Sequence, residues 1–200
     1  MKVWRRKARR FQLSDAEAKM GHIEAMSDVY EVKQQKQVES LQCSFREFCE
    51  RVFGFTPYSY QLDLEAKFNE FQFNAVRWPR QTGKSFIVSG LVLKYAIEKP
   101  SSYIAIVGPS WLQTKLNIRR IGVFARKYLG CERGIQKTRV SLPNGSVLEA
   151  FPNNPDTIRG PSFHVIWWEE CNFTANDEVL YDAILFTLGT TNGRLIATST

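Results

Sequence analysis

The chain has 200 residues, of which 44% are hydrophobic and 13% aromatic, so it can bury a sizeable core and is not a disordered protein. No apolar run approaches the roughly 18 to 20 residues of a membrane span, and no apolar stretch follows the basic N-terminus as in a secretory signal. Six of the 27 Lys and Arg residues, and no acid, lie in the first ten residues, which leaves 21 basic against 20 acidic side chains elsewhere. The net charge of +7 therefore belongs to an N-terminal arm, either simply solvated or in contact with nucleic acid phosphates.

The first part of the chain predicts helices. Residues 14–41 are rich in Ala, Glu, Lys and Gln and contain no proline. Ser44 and Glu47 then have the spacing of a capping box, ahead of apolar residues at helical spacing, and Gly54 suits the end of that helix. A third helix is expected after Pro57, with the proline in its first turn.

Strands and helices are predicted to alternate from residue 71 onward. The predicted strands are 71–78, 102–108, 163–168 and 194–199, with a hairpin around Pro-Asn-Gly at 138–151; the predicted helices are 83–99, 111–129 and 177–188. Continuous apolar strands between helices favour an α/β domain with a mainly parallel sheet.

The expected domains are a basic arm with a helical extension over residues 1–56 and an α/β domain over residues 57–200. Because the last strand runs straight to the end of the sequence, we expect the chain to be the N-terminal part of something longer.

The stretch RWPRQTGKSF, residues 77–86, lies between a predicted strand and a predicted helix. Its Gly-Lys-Ser matches the end of a phosphate-binding loop, although Trp78 stands where that motif has its first glycine. Backbone N–H groups from about Thr82 onward would point at phosphate oxygens, and Gly83 has no Cβ to block their approach. Lys84 would reach the β- and γ-phosphates, and the Ser85 hydroxyl would bind Mg²⁺.

A second candidate motif is the pair of carboxylates at the end of the apolar strand FHVIWW. Glu169 would hold the magnesium ion through water, and Glu170 would orient or activate the attacking water. On their own, these two glutamates would be interpreted as the polar residues that ordinarily follow a buried strand. Together with the loop upstream, it predicts a site of nucleotide hydrolysis.

Other chemistry-bearing residues favour structural roles. The four cysteines have no zinc-ligand spacing and indicate reduced thiols of a cytosolic protein. His164 lies in an apolar run and is interpreted as a packed core residue rather than a ligand. Trp167 and Trp168, in the same strand, are expected in the core.

Further motifs accompany the loop and the carboxylates in a fixed order. They read PYSYQ (57–61), RQTGKS (80–85), LPNGSVLEAF (142–151), NPDTIRGPSF (154–163), VIWWEEC (165–171) and LIATST (195–200). With these motifs in this order, the chain resembles the ATPase domain of the large terminase subunit of tailed double-stranded DNA viruses and prophages. The resemblance runs from about Pro57 to Thr200. It implies a RecA-like P-loop fold of the additional-strand class, with helices flanking the sheet and the Thr/Ser strand beside the phosphate loop.

The resemblance also implies roles for individual residues with ATP and Mg²⁺ as cofactors. Gln61 would read the adenine, unless it is a helix-surface amide. Arg80, next to Gln81 in the loop, would sense phosphate, unless it pairs with a nearby acid. Arg159 would act as an arginine finger on a neighbouring subunit, unless it structures its own loop. Thr198–Thr200 would form the strand end that couples hydrolysis to movement.

The implied function is packaging of double-stranded viral DNA into a procapsid, driven by ATP hydrolysis in the host cytoplasm. The implied partners are DNA, further copies in a ring on a portal, and a small terminase subunit, with no membrane. Glu169 departs from the family's aspartate, and the acidic cluster of the family's nuclease domain is missing, so no DNA cleavage is expected from this chain. Two alternatives stay open: a helicase-like motor, and a non-hydrolysing fragment that binds DNA or a partner.

Overall fold

The computed structural model describes Met20 and residues 43–129, 134–175 and 177–200, without the side chains of 127 and 128. The basic arm and, apart from Met20, the helices predicted over 14–41 lie outside the described residues, as does Cys131. Helices α1 to α6 are Phe45–Phe53, Ser59–Glu70, Lys84–Glu98, Trp111–Leu129, Pro155–Ile158 and Asp177–Gly189, with a 3₁₀ helix at Cys171–Phe173. Strands β1 to β6 are Phe73–Arg77, Tyr103–Val107, Arg139–Ser141, Val147–Phe151, Val165–Trp168 and Arg194–Ser199.

The strands form one sheet in the order β1-β6-β5-β2-β4-β3. Every neighbouring pair is parallel except β3 and β4, the two strands of the predicted hairpin. The last strand, β6, lies between β1, which leads into the phosphate-binding motif, and β5, which ends at the two carboxylates. The predicted α/β class, the mainly parallel sheet and the added strand beside the loop are confirmed.

Both faces of the sheet are covered because side chains alternate between them along each strand. Val165 and Trp167 of β5 belong to a core shared with α1 to α4. Ile166 and Trp168 belong to a second core shared with α5 and α6. All four residues of β5 are buried, which explains why this strand is a continuous apolar run.

Helix α1 begins and ends where its sequence predicts. The Ser44 hydroxyl accepts from the Glu47 amide at 3.3 Å, and a Glu47 carboxylate oxygen accepts from the Ser44 amide at 3.0 Å. The Ser44 hydroxyl also donates to the Glu47 carboxylate at 2.8 Å, and this hydrogen bond, together with that from the Ser44 amide, lowers the pKa of the Glu47 carboxyl. Gly54 ends the helix in the left-handed region with φ of 75°. The predicted capping box and C-terminal glycine are confirmed.

The Phe53 side chain fixes α1 against α3. Its ring lies 5.1 Å from the ring of Phe86 and 4.3 Å from that of Phe124. A Cβ on Gly90 would come within 2.4 Å of the Phe53 ring, so only glycine allows this approach. Helix α1 thus shares the core of the α/β domain, while the boundary predicted after residue 56 stays a prediction.

The expected position of Pro57 is wrong. Helix α2 has Tyr58 as its N-cap, so the proline precedes the cap instead of lying in the first turn. The physical reason is that the Gln61 side-chain oxygen accepts from the Tyr58 amide at 3.0 Å and satisfies a donor at the helix start. None of the described helices combines the length and apolar composition that a membrane span requires.

Candidate active site at the carboxyl end of the sheet

A cleft of about 630 Å³ lies where the phosphate-binding motif and the ends of β5 and β6 meet. Ligands of open α/β sheets bind at this end of the strands. The lining residues are Pro79, Arg80, Gln81, Gly83, Lys84, Ser85, Phe86, Pro109, Gln113, Arg120, Glu170, Phe173 and Thr200. The structure therefore places most of the predicted site residues around one cavity.

The loop from β1 to α3 has the backbone that an anion site requires. Gly83 is the N-cap of α3 with φ of 77°, in the left-handed region that favours glycine, and Gln81 also has a positive φ of 64°. Helix α3 begins at Lys84, so its N-terminal end, with unsatisfied N–H groups, borders the cleft. The predicted strand–loop–helix context is confirmed.

Trp78, which replaces the first glycine of the usual motif, stabilises the loop by other contacts. Its amide donates to the Ser199 carbonyl at 3.2 Å, and its ring packs edge-on against Tyr60 at 4.8 Å. The Tyr60 hydroxyl in turn donates to the Thr82 carbonyl at 3.0 Å. The aromatic side chains of Tyr60 and Trp78 therefore stabilise the loop.

Gln61 is 4% exposed, so it is not a helix-surface amide. Its side-chain nitrogen donates to the Thr82 carbonyl at 3.3 Å. Helix α2 is thereby connected to the phosphate loop. Contact of Gln61 with adenine stays a prediction.

Glu169 connects three elements. One carboxylate oxygen accepts from the Ser85 hydroxyl at the start of α3, and the other accepts from the Thr198 hydroxyl of β6 at 2.7 Å. The Trp167 indole N–H donates to the same Thr198 hydroxyl at 3.2 Å. Glu169 is only 5% exposed. The Glu169 side chain, which is longer than the family's aspartate, thus reaches Ser85. The loop motif predicts this serine as a ligand of the same magnesium ion.

Glu170 bridges Lys84 and the end of the chain. One of its carboxylate oxygens lies 3.1 Å from the Lys84 ammonium, and the other accepts from the Thr200 hydroxyl at 3.4 Å. Lys84 is 6% exposed, and an ammonium has three donors, so it can hold this carboxylate and a further anion in the cleft. Glu170 has φ of 47°, which turns the chain sharply after β5.

The two candidate arginines lie in different places. Arg80 is exposed and lines the cleft, and no ion pair within the described part of the chain involves it, unlike the alternative in which it pairs with an acid. Arg159, at the end of α5, is not among the lining residues and lies 3.3 Å from the Asp156 carboxylate of its own loop. Its side chain is half exposed, so the structure does not bring it into the site, and its action on a neighbouring subunit stays a prediction.

Sequence reasoning missed Arg120 on α4. Its guanidinium lines the cleft and donates to the Ser85 carbonyl at 3.2 Å and to the Asn117 side-chain oxygen at 2.9 Å. Burial lowers the pKa of Arg120, while the negative charge of Glu169 acts in the opposite direction. The sequence signal for this position is that Arg120, like Asn117 three residues before it, is a polar residue at the edge of the apolar stripe of α4.

Of the residues interpreted as structural, Trp167 and Trp168 lie in the core as predicted, whereas His164 does not. The His164 ring is half-buried, and its Nδ1 accepts from the Tyr103 amide at 3.0 Å. Trp167 and Trp168 are buried in the two cores. Burial raises the pKa of the Cys49 thiol to about 12. Across the described residues, no group of three or more His, Cys, Asp or Glu side chains could hold a metal.

A family model described as terminase large subunit, T4-like-virus type, N-terminal, matches residues 77–200, more than half of the chain. The chain belongs to the terminase large subunit family. The matched range begins just before the phosphate loop and includes both carboxylates and the end of β6. Membership in this family favours the terminase interpretation over a helicase.

Solved structures of this family share the fold. The large terminase ATPase domain of Thermus phage P74-26 matches with a TM-score of 0.62 at 19% identity, over 76% of this chain and 67% of that one. The large terminase of bacteriophage HK97 matches with a TM-score of 0.62 at 16% identity, over 78% of this chain and 37% of that one.

At these identities the likeness shows the fold, which is the RecA-like architecture of the terminase ATPase domains. The chain spans well under half of the HK97 protein. A search of curated proteins gave no match.

Proposed function

We propose that this terminase chain binds Mg²⁺·ATP in the cleft and hydrolyses it to move double-stranded viral DNA into a procapsid. One observation carries the proposal: Glu169 accepts from both Ser85 of the loop and Thr198 of β6, so the parts of a hydrolysis site converge. The proposed partners are DNA, other copies of the chain in a ring on a portal, and a small terminase subunit, in the host cytoplasm.

The donor set fits a magnesium ion. Mg²⁺ in nucleotide sites takes one or two protein oxygens together with substrate phosphates and water. Ser85 and Glu169 supply a hydroxyl and a carboxylate side by side beside a helix N-terminus that favours phosphate. These two residues would hold the ion, which would neutralise the charge that develops on the transferred phosphoryl group.

The roles of the remaining residues follow from their positions. The amides of the first turn of α3 and the Lys84 ammonium bind the phosphates. Glu170 orients the attacking water and accepts its proton. Because Thr198 and Thr200 of the last segment bond to Glu169 and Glu170, a change of charge at the carboxylates reaches this end of β6 directly. This contact is the proposed route from hydrolysis to movement.

Removal of the metal tests the proposal. Phosphate release from ATP by the full chain is expected to need added Mg²⁺ and to fall to background in EDTA, because the ligands at Ser85 and Glu169 then hold no ion. A Ser85→Ala variant is expected to need an Mg²⁺ concentration about tenfold higher or more for half-maximal release. Undiminished release in EDTA would contradict the proposal.

Arg120 is proposed to contact the triphosphate from α4, beside the first turn of α3, where its guanidinium lines the cleft. Arg120 is half-buried at the cleft, and its guanidinium donates hydrogen bonds only to neutral groups. No ion pair among the described residues involves it, so a bound anion would supply the opposite charge that a buried guanidinium requires. An Arg120→Ala variant is expected to raise the Kd for Mg²⁺·ATP about tenfold to a hundredfold, measured by titration with a fluorescent ATP analogue.

The control for Arg120 is Arg119→Ala, which removes the exposed neighbouring charge and should leave the Kd unchanged. An Arg120→Lys variant should recover part of the affinity, because it keeps the charge but not the planar donor fork. If Arg120→Ala lowers the melting temperature without changing the Kd, the residue only supports α4 and the assignment is wrong.

A further inference from the structure

The outer side of α4 combines exposed apolar and basic side chains. Leu112, Leu116 and Val123 are 66%, 49% and 48% exposed. They border a groove of about 570 Å³ to which four bases, and no acid, contribute: Lys115, Arg119, Arg126 and Lys137. At 100° per residue the α4 members of this set fall on one side of the helix, opposite the buried residues. We call this set the α4 face.

The outer side of α6 has the complementary composition. Val179, Tyr181 and Phe186 are 47%, 41% and 70% exposed. The exposed acids Asp177, Glu178 and Asp182 lie beside them, and no base occurs on α6. We call this set the α6 face. Within the described residues, no ion pair involves a charge of either face.

One chain cannot bring its own two faces together. Helix α4 packs on the side of the sheet that Val165 and Trp167 face, and α6 packs on the side that Ile166 and Trp168 face. The two faces therefore lie on opposite sides of the sheet and point away from each other. A second copy of the chain offers the matching surface to each of them.

We propose that the α4 face of one copy docks against the α6 face of the next. A two-fold symmetric pairing would place base against base or acid against acid, which is repulsive, whereas a head-to-tail arrangement matches charge and apolar surface at every contact. Such contacts repeat, and they close into a ring or extend into a filament. This inference rests on the association of copies in the proposed function and names the two surfaces that form the contact; docking requires no nucleotide, so oligomeric state alone tests it.

Charge reversal with rescue tests the docking. The full chain is expected to associate with rising concentration, followed by sedimentation velocity without nucleotide. Arg119→Glu with Arg126→Glu, and separately Glu178→Lys with Asp182→Lys, should each raise the Kd of association about tenfold or more. A one-to-one mixture of the two double variants should associate again, because each reversed face then meets an opposite charge.

The matched control is Arg46→Glu with Lys99→Glu, which reverses two exposed charges outside both faces and should leave association unchanged. Should a reversal fail to fold by circular dichroism, the neutral pairs Arg119→Gln with Arg126→Gln and Glu178→Gln with Asp182→Asn replace it and should also weaken association. A monomeric parent at all concentrations, unchanged association of folded reversed variants, or a mixture of folded variants without rescue would each overturn the proposal. None of these outcomes depends on ATP hydrolysis, so a failure here removes the proposed contact between copies and leaves the proposed hydrolysis of Mg²⁺·ATP in the cleft intact.

Discussion

A Glu170→Gln variant is expected to bind ATP as the parent does and to hydrolyse it about 10² to 10⁴ times more slowly. The amide keeps the length of the side chain, and its oxygen can still accept from Lys84, which lies 3.1 Å from the carboxylate. It cannot accept a proton from the attacking water. The comparison requires kcat from phosphate release and the Kd from titration with a fluorescent ATP analogue.

Glu70→Gln is the matched control, since it makes the same chemical change at an exposed position at the end of α2. It should leave both constants unchanged. Normal hydrolysis by Glu170→Gln would remove this residue from the mechanism and, with it, the interpretation of the carboxylate pair.

An Arg80→Ala variant is expected to lower kcat by about 10³ or more, within the range that an arginine at the transferred phosphate contributes. Arg80 lines the cleft from the exposed side of the loop and has no ion pair in the described part of the chain, so its charge is available to the phosphate. The Kd for ATP should change far less than kcat, because the arginine acts mainly on the charge of the transition state.

The control for this prediction is Arg77→Ala. Arg77 is exposed at the end of β1, three residues upstream, and does not line the cleft. Arg80→Lys should not restore the parent rate, because an ammonium lacks the planar donor fork. Equal losses of kcat in Arg77→Ala and Arg80→Ala would indicate damage to the loop rather than a phosphate contact.

Much of the fold follows from local sequence signals. The capping box at Ser44, the Asn-Gly turn of the hairpin and the continuous apolar run of β5 each specify one local structure, and the structure has all three. The position of Pro57 did not follow, because the start of α2 depends on the Gln61 side chain, which α2 and the phosphate loop share.

The site was predictable where a motif places residues on the backbone. Lys84, Ser85, Glu169 and Glu170 meet because two parallel strands end at the same edge of the sheet. Arg120 was not predictable in this way, since its role depends on how α4 packs beside α3, and no local pattern encodes that packing. The stabilisation of the loop by Trp78 likewise depends on contacts with α2 and β6.

Hydrolysis of ATP in the cleft is tested most directly by a single-turnover experiment with radiolabelled ATP, in which the full chain is in excess over Mg²⁺·ATP. The parent is expected to convert bound ATP to ADP and phosphate, whereas the Glu170→Gln variant is expected to bind the same fraction of ATP and retain it intact. Equal conversion by the two proteins would show that Glu170 takes no part in hydrolysis, and no conversion by the parent despite bound ATP would show that the cleft does not hydrolyse ATP.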